Sequence, residues 1–227
     1  VQQAAGLTPS AQEGNLYRMA LKHAIAYFKG ARSIIVINED VLLSRDVVWY
    51  FAQLEDLIHL DKTLWCVSAW NDIGLAPYIA DQTALLRTDW HPLGAWMLRN
   101  DTAQEILQTW PEDGWQEWIR TDDVRKGRQC IVPEISRCQK HRPIGAPTVQ
   151  AQYDELTLPV FLNHDRYRVN LGSVDRLLPS AYRHLFIYSW PGGALANSSE
   201  VKNINQLKRL NSSVWRLVVD KGVGSWS

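Results

Sequence analysis

A chain of 227 residues is long enough for one sizeable core and too short for two full domains. Its 24 Lys and Arg balance 24 Asp and Glu, so the basic footprint of a general nucleic-acid binder is missing and no nucleic-acid partner is expected. At 46% hydrophobic and 21% charged residues the composition excludes a disordered chain, and no stretch approaches the roughly 20 apolar residues of a membrane span.

From Gln12 to Lys29, Leu16, Met19, Ala20, Ala24, Tyr27 and Phe28 recur at helical spacing, and Gly30 follows as a stop. Ser33 to Ile37 is a continuous β-branched run, expected as a central parallel strand buried on both faces, and it ends abruptly in Asn38-Glu39-Asp40. Ser44 is the expected cap of a helix with Asp46 in its first turn that buries Val47, Tyr50, Phe51, Leu54 and Ile58. Leu64 to Ala69 reads as the next strand, so a strand, helix and strand follow in one unit with a right-handed crossover. The fold class is α/β.

Short strands are expected at Ala84 to Arg87 and Ala95 to Leu98, then a helix from about Thr102 to Thr109 that stops before Pro111. Trp115 to Arg120 suggests a further helical turn, and Gln129 to Ile135 a strand that Pro133 places near an edge. Past Asn163 the pattern weakens, with Pro179 and Pro191-Gly-Gly193 between short apolar runs. The division expected is therefore residues 12–163 as the main domain and 164–227 as a small irregular C-terminal region without an assigned role.

Three cysteines, Cys66, Cys130 and Cys138, show no spacing suited to zinc. Asn100, Asn197 and Asn211 open N-glycosylation sequons, which matter only in the secretory pathway. The start, Val1-Gln-Gln-Ala-Ala, has neither an initiator Met nor a signal peptide, as expected of a piece of a longer chain. Eleven tryptophans are many, and indole faces suit sugars as well as large cores.

In open α/β sheets ligands bind beyond the carboxyl ends of strands, where Asn38-Glu39-Asp40 sits. Carboxylates there suit a hard cation such as Mg²⁺ or Mn²⁺, completed by substrate phosphate and water. No GxGxxG or GxxxxGK loop is present, which sets aside ordinary dehydrogenases and P-loop enzymes.

An ordered series then narrows the reading: Ile37-Asn-Glu-Asp-Val41, Asp46, Leu64-Trp-Cys-Val-Ser-Ala-Trp-Asn-Asp72, Arg87-Thr-Asp89, Trp110-Pro111, Trp115-Gln-Glu-Trp-Ile-Arg120, and Arg125-Lys-Gly-Arg-Gln-Cys130 through Pro133-Glu-Ile-Ser-Arg137. Over about residues 12–163 it resembles the N-acetylglucosaminyltransferase I family, which includes the transferase acting on protein O-linked mannose. The resemblance implies a GT-A, Rossmann-like fold, here truncated at the N-terminus because the family's nucleotide-binding first strand precedes the first helix. It also implies inverting transfer of N-acetylglucosamine from UDP-GlcNAc to a mannose hydroxyl of a glycoprotein glycan, with a β1,2 link and Mn²⁺ as cofactor. The alternative is a catalytically inactive relative that binds a glycan or nucleotide sugar. The expected setting is the Golgi lumen, as part of a type II membrane protein whose anchor this chain lacks.

Residue by residue, the resemblance makes Asp40 the metal ligand, Glu39 the acid beside it near the donor, and Asn38 a replacement of the first acid. Trp115 matches a tryptophan that packs on the donor sugar. The family's general base falls at Gln116, an amide that cannot take a proton near neutral pH; Glu117, adjacent and ionisable, is the substitute considered. Leu16, before the shared Tyr17-Arg18, replaces a donor-site histidine. Cys66 and Cys130 match a disulfide pair of the family, leaving Cys138 over. These 227 residues by themselves are expected to show no appreciable turnover.

Overall fold

The computed structural model describes residues 7–92, 94–141, 160–165, 167–188, 194–197 and 215–218, which divide between one unit reaching Leu178 and another starting at Pro179. In chain order the first unit contains α1 (Pro9–Tyr27), β1 (Ser33–Ile37), β2 (Val41–Leu43), α2 (Val47–Leu60), β3 (Leu64–Ser68), β4 (Leu85–Thr88), β5 (Ala95–Arg99), α3 (Asn100–Gln108), α4 (Trp115–Trp118), α5 (Asp122–Arg125), β6 (Gln129–Pro133) and β7 (Cys138–Lys140). The second holds α6 (Pro179–Tyr188) and a parallel pair, β8 (Ala194–Asn197) with β9 (Trp215–Val218). The Pro191 to Gly193 turn and the Asn211 sequon lie outside the described residues.

The central sheet is mixed, in the order β1-β5-β3-β6-β4, with β3 and β6 parallel and every other neighbour antiparallel. This corrects two expectations. β1 and β3 run parallel, but β5 lies between them, and among the described residues β1 is an edge strand with Ile35 and Ile37 40% and 51% exposed. An apolar run is read from sequence as burial, yet its burial depends on neighbours that periodicity does not identify. β6 is internal, between β3 and β4, and Pro133 is tolerated there as its last residue.

The two faces of the sheet are covered differently. Ser33 Oγ meets Glu55 and His59 of α2, while alternate residues Ile34 and Val36 pack on the cluster that gathers α1, α3 and α4 against the strands. Helix α2 buries Tyr50, Phe51, Leu54, Leu57 and Ile58, and Tyr50 donates its hydroxyl to Ser68 O at 2.8 Å. The expected Ser44 cap is not formed: Ser44 Oγ donates to Asp46 at 2.7 Å, and the Asp46 carboxylate also receives Arg137 Nε at 3.1 Å. With both side chains of that pair buried, compensation of charge takes Asp46 away from capping.

Cys66 of β3 and Cys130 of β6 are register partners, bonded to each other, with Cα atoms 4.6 Å apart. Residues 167–178, set apart in the sequence reading, belong to the first unit. Gln53 holds Val169 O and Leu171 N–H at 3.0 and 2.9 Å, and Arg176 donates to Thr83 O. His91 is buried between Trp65 and Trp96, ring centroids 5.0 and 4.5 Å away. Burial, with the Arg120 charge second, lowers its pKa from 6.5 to about 3.

Replacing Cys66 and Cys130 by Ala is expected to lower unfolding free energy by about 2–4 kcal/mol, measured by urea denaturation. His91 stays neutral when folded and takes up a proton on unfolding, so its contribution is intact above pH 6.5 and declines as pH falls toward 3. The thermal midpoint should fall across that interval, and His91→Phe should flatten the fall.

Candidate functional site

Asp40 stands where β1 hands over to β2. The β2–β7 ribbon fixes its backbone, with His141 N–H donating to Asp40 O at 2.6 Å. Its carboxylate is 38% exposed and lies 3.8 Å from Lys140 Nζ. Glu39 is exposed, whereas Asn38 is held at both ends: its N–H donates to Gly94 O at 2.9 Å and its Oδ1 accepts the Tyr17 hydroxyl.

Tyr17 comes from α1, whose start is tied to the chain just ahead of α4. Thr8 caps α1 by accepting from Ala11 N–H at 3.0 Å, and its hydroxyl donates to Asp113 at 2.8 Å. Gly114 then turns the chain with φ of 65°, which favours glycine, and Trp115 begins α4. Gly14 lets the two elements approach closely, since a Cβ there would lie 3.0 Å from Trp115 Cδ1. Tyr17 and Trp115 consequently lie ring against ring, centroids 4.2 Å apart and planes tilted by 32°.

Trp115 is 1% exposed, with Trp110 stacked 5.9 Å away and Tyr17 against it. That enclosure makes it a core residue in this arrangement and leaves no open indole face for the sugar contact expected of it. Its Nε1 has no hydrogen-bond partner among the described residues. Gln116 turns to α1, where its amide donates to the two oxygens of Glu13 at 3.0 and 3.3 Å. Glu117 is exposed.

Asn38 and Trp115 therefore touch Tyr17, Glu39 and Asp40 act on it through their charge, and Gln116 joins the group through Glu13. Burial first, and then the charges of Glu13, Glu39 and Asp40, raise the Tyr17 pKa far above the usual phenol range, so it remains a neutral donor. Sequence reasoning missed Tyr17 and Glu13. Their four-residue separation on a helix was the signal, because it puts both on neighbouring parts of one face. Leu16 is 58% exposed. Among the described residues no group of three His, Cys, Asp or Glu is placed to hold a metal ion.

Other motif residues hold the fold. Arg87 pairs with Asp61 at 2.7 Å and donates to Leu177 O, Asp89 accepts from Gln129 at 2.8 Å, and Asp72 accepts from the Trp70 indole at 2.8 Å. Asn100 of the first sequon donates its amide to Ala31 O at 2.8 Å. The Cys138 thiol is buried, which pushes its pKa up to about 12 and makes it a poor nucleophile.

The sequence profile of the GNT-I family matches residues 12–214. The chain belongs to the GNT-I family. It is 34% identical over 149 residues to the alpha-1,3-mannosyl-glycoprotein 2-beta-N-acetylglucosaminyltransferase of Arabidopsis thaliana, an overlap that covers 65% of this chain and 33% of the relative. The chain thus spans about a third of the length of that GNT-I relative.

Because Trp115 is enclosed, Trp115→Ala is expected to destabilise the chain by about 3–5 kcal/mol in urea denaturation. Tyr17→Phe, which removes one hydroxyl and keeps the ring contact, should cost about 0.5–1.5 kcal/mol.

Proposed function

We propose that the complete protein is an inverting glycosyltransferase of GT-A architecture that moves N-acetylglucosamine from UDP to a mannose hydroxyl of a glycoprotein glycan, forming a β1,2 link. The observation that carries this reading is Asp40 at the carboxyl end of β1, joined through Asn38 and Tyr17 to α4, in a GNT-I family chain.

A divalent cation, Mn²⁺ in the first instance, fits this site in one way. Asp40 supplies a single, partly exposed carboxylate, and Glu13, Glu39 and Asp40 together make the surroundings of Tyr17 negative. Such a site suits an ion whose remaining ligands are donor diphosphate oxygens and water. When bound, the cation neutralises charge on the departing diphosphate. Tyr17 fixes the Asn38 amide by donating to its oxygen. Lys140, 3.8 Å from Asp40, would add a positive charge near a diphosphate bound there.

The Cys66–Cys130 bond suits an oxidising compartment, so the reading places the protein in the secretory pathway, with the Golgi lumen as its setting. Among the described residues no helix is long and apolar enough to cross a membrane. A second reading, a catalytically inactive relative that binds a nucleotide sugar or glycan, is favoured by one observation: Gln116 presents an amide where the resemblance expects a base.

UDP release from UDP-GlcNAc with Mn²⁺ and a mannosyl acceptor separates the two. Turnover by the complete protein that falls about 10²-fold or more in Asp40→Ala is the expected result. Turnover indifferent to Asp40→Ala contradicts the metal role, and donor binding with no turnover supports the second reading.

A further inference from the structure

We infer that the Glu13 carboxylate, positioned by the Gln116 amide, is the group that takes up the acceptor proton, an inference that rests on the transferase reading above. Transfer to a hydroxyl is aided by a positioned group that takes up its proton, and a carboxylate suits that task. Gln116 has no basic atom, and Glu117, its neighbour on α4, is exposed. Glu13 supplies such a group from another element. Its carboxylate reaches α4 from a point 103 residues earlier in the chain and receives the Gln116 amide at 3.0 and 3.3 Å.

Two further features locate this carboxylate. Glu13 precedes Tyr17 by one helical turn, and its charge acts on the Tyr17 hydroxyl together with those of Glu39 and Asp40, so it shares the surroundings of the proposed metal ligand. Glu13 is half-buried, which holds it in place and still leaves it in reach of a ligand. Gln116 is then a positioning residue: it cannot accept the proton, and its amide fixes where the Glu13 oxygens stand.

The step balances without another reactant. The acceptor O–H bond breaks and its proton goes to a Glu13 oxygen; the acceptor oxygen bonds to the anomeric carbon; the bond from that carbon to the diphosphate oxygen breaks, and its electron pair leaves with UDP. Glu13 later returns the proton to water.

The test compares kcat and KM for the complete protein, Glu13→Gln, Glu13→Ala, Gln116→Ala and Glu117→Gln, with circular dichroism to confirm that each is folded. Glu13→Gln is expected to lower kcat about 10²-fold or more with little change in donor KM. Added formate should restore part of the turnover of Glu13→Ala, a recovery that a purely structural role would not produce. Gln116→Ala should lower kcat less than Glu13→Gln and be insensitive to formate, and Glu117→Gln should stay near wild type. Wild-type turnover retained in Glu13→Gln, or lost in Glu117→Gln alone, overturns the inference and leaves the transferase reading standing. No turnover by the wild type overturns both.

Discussion

One contact joins the parts of this molecule that matter: the Tyr17 hydroxyl donates to Asn38 while the Tyr17 ring lies on Trp115. It brings together a helix, the end of an edge strand and a short second helix that are remote in sequence. Without it, the acids after β1 would be ordinary loop charges and Gln116 an ordinary surface amide. The geometry demands a neutral phenol, since burial and three nearby carboxylates all oppose its ionisation. It demands Gly14 as well, because Trp115 occupies the space a side chain would need.

The features that mark the chain as a GNT-I member mostly serve the scaffold. Arg137 and Asp46 pair out of water, Arg87 ties Asp61 to the segment ending at Leu178, and Cys66 and Cys130 lock the parallel β3–β6 pair. Buried guanidinium groups of this kind are strict about their partners, because an unpaired charge in such a place costs several kcal/mol. That explains why motifs with a strong chemical appearance, such as Arg87-Thr-Asp89, form a framework around the site and do not touch it.

Much of the fold was legible. Helix α2 and strands β3 and β5 were marked by apolar residues that the fold does bury, whereas α1 was placed from Leu16, Met19, Tyr27 and Phe28, which the structure leaves exposed while Tyr17 and Leu21 face the core. The place of β1 at the edge was not legible, because the insertion of β5 between β1 and β3 is a matter of long-range pairing. At the site, the acids after β1 were visible as an abrupt end to an apolar run. The enclosure of Trp115 was not, since an indole looks the same in sequence whether it meets a sugar or two other aromatic rings. Glu13 escaped notice for a related reason: its significance comes from Gln116, across a contact that no local pattern announces.

The central claim is that Asp40 holds a divalent cation jointly with the donor diphosphate. The paramagnetic resonance signal of free Mn²⁺, followed while the protein is titrated with and without UDP, measures this directly. The account predicts little Mn²⁺ uptake by the protein alone, substantial uptake by the protein with UDP beyond that of UDP alone, and loss of that excess in Asp40→Ala. Tight uptake without UDP, or an excess that survives Asp40→Ala, would contradict it.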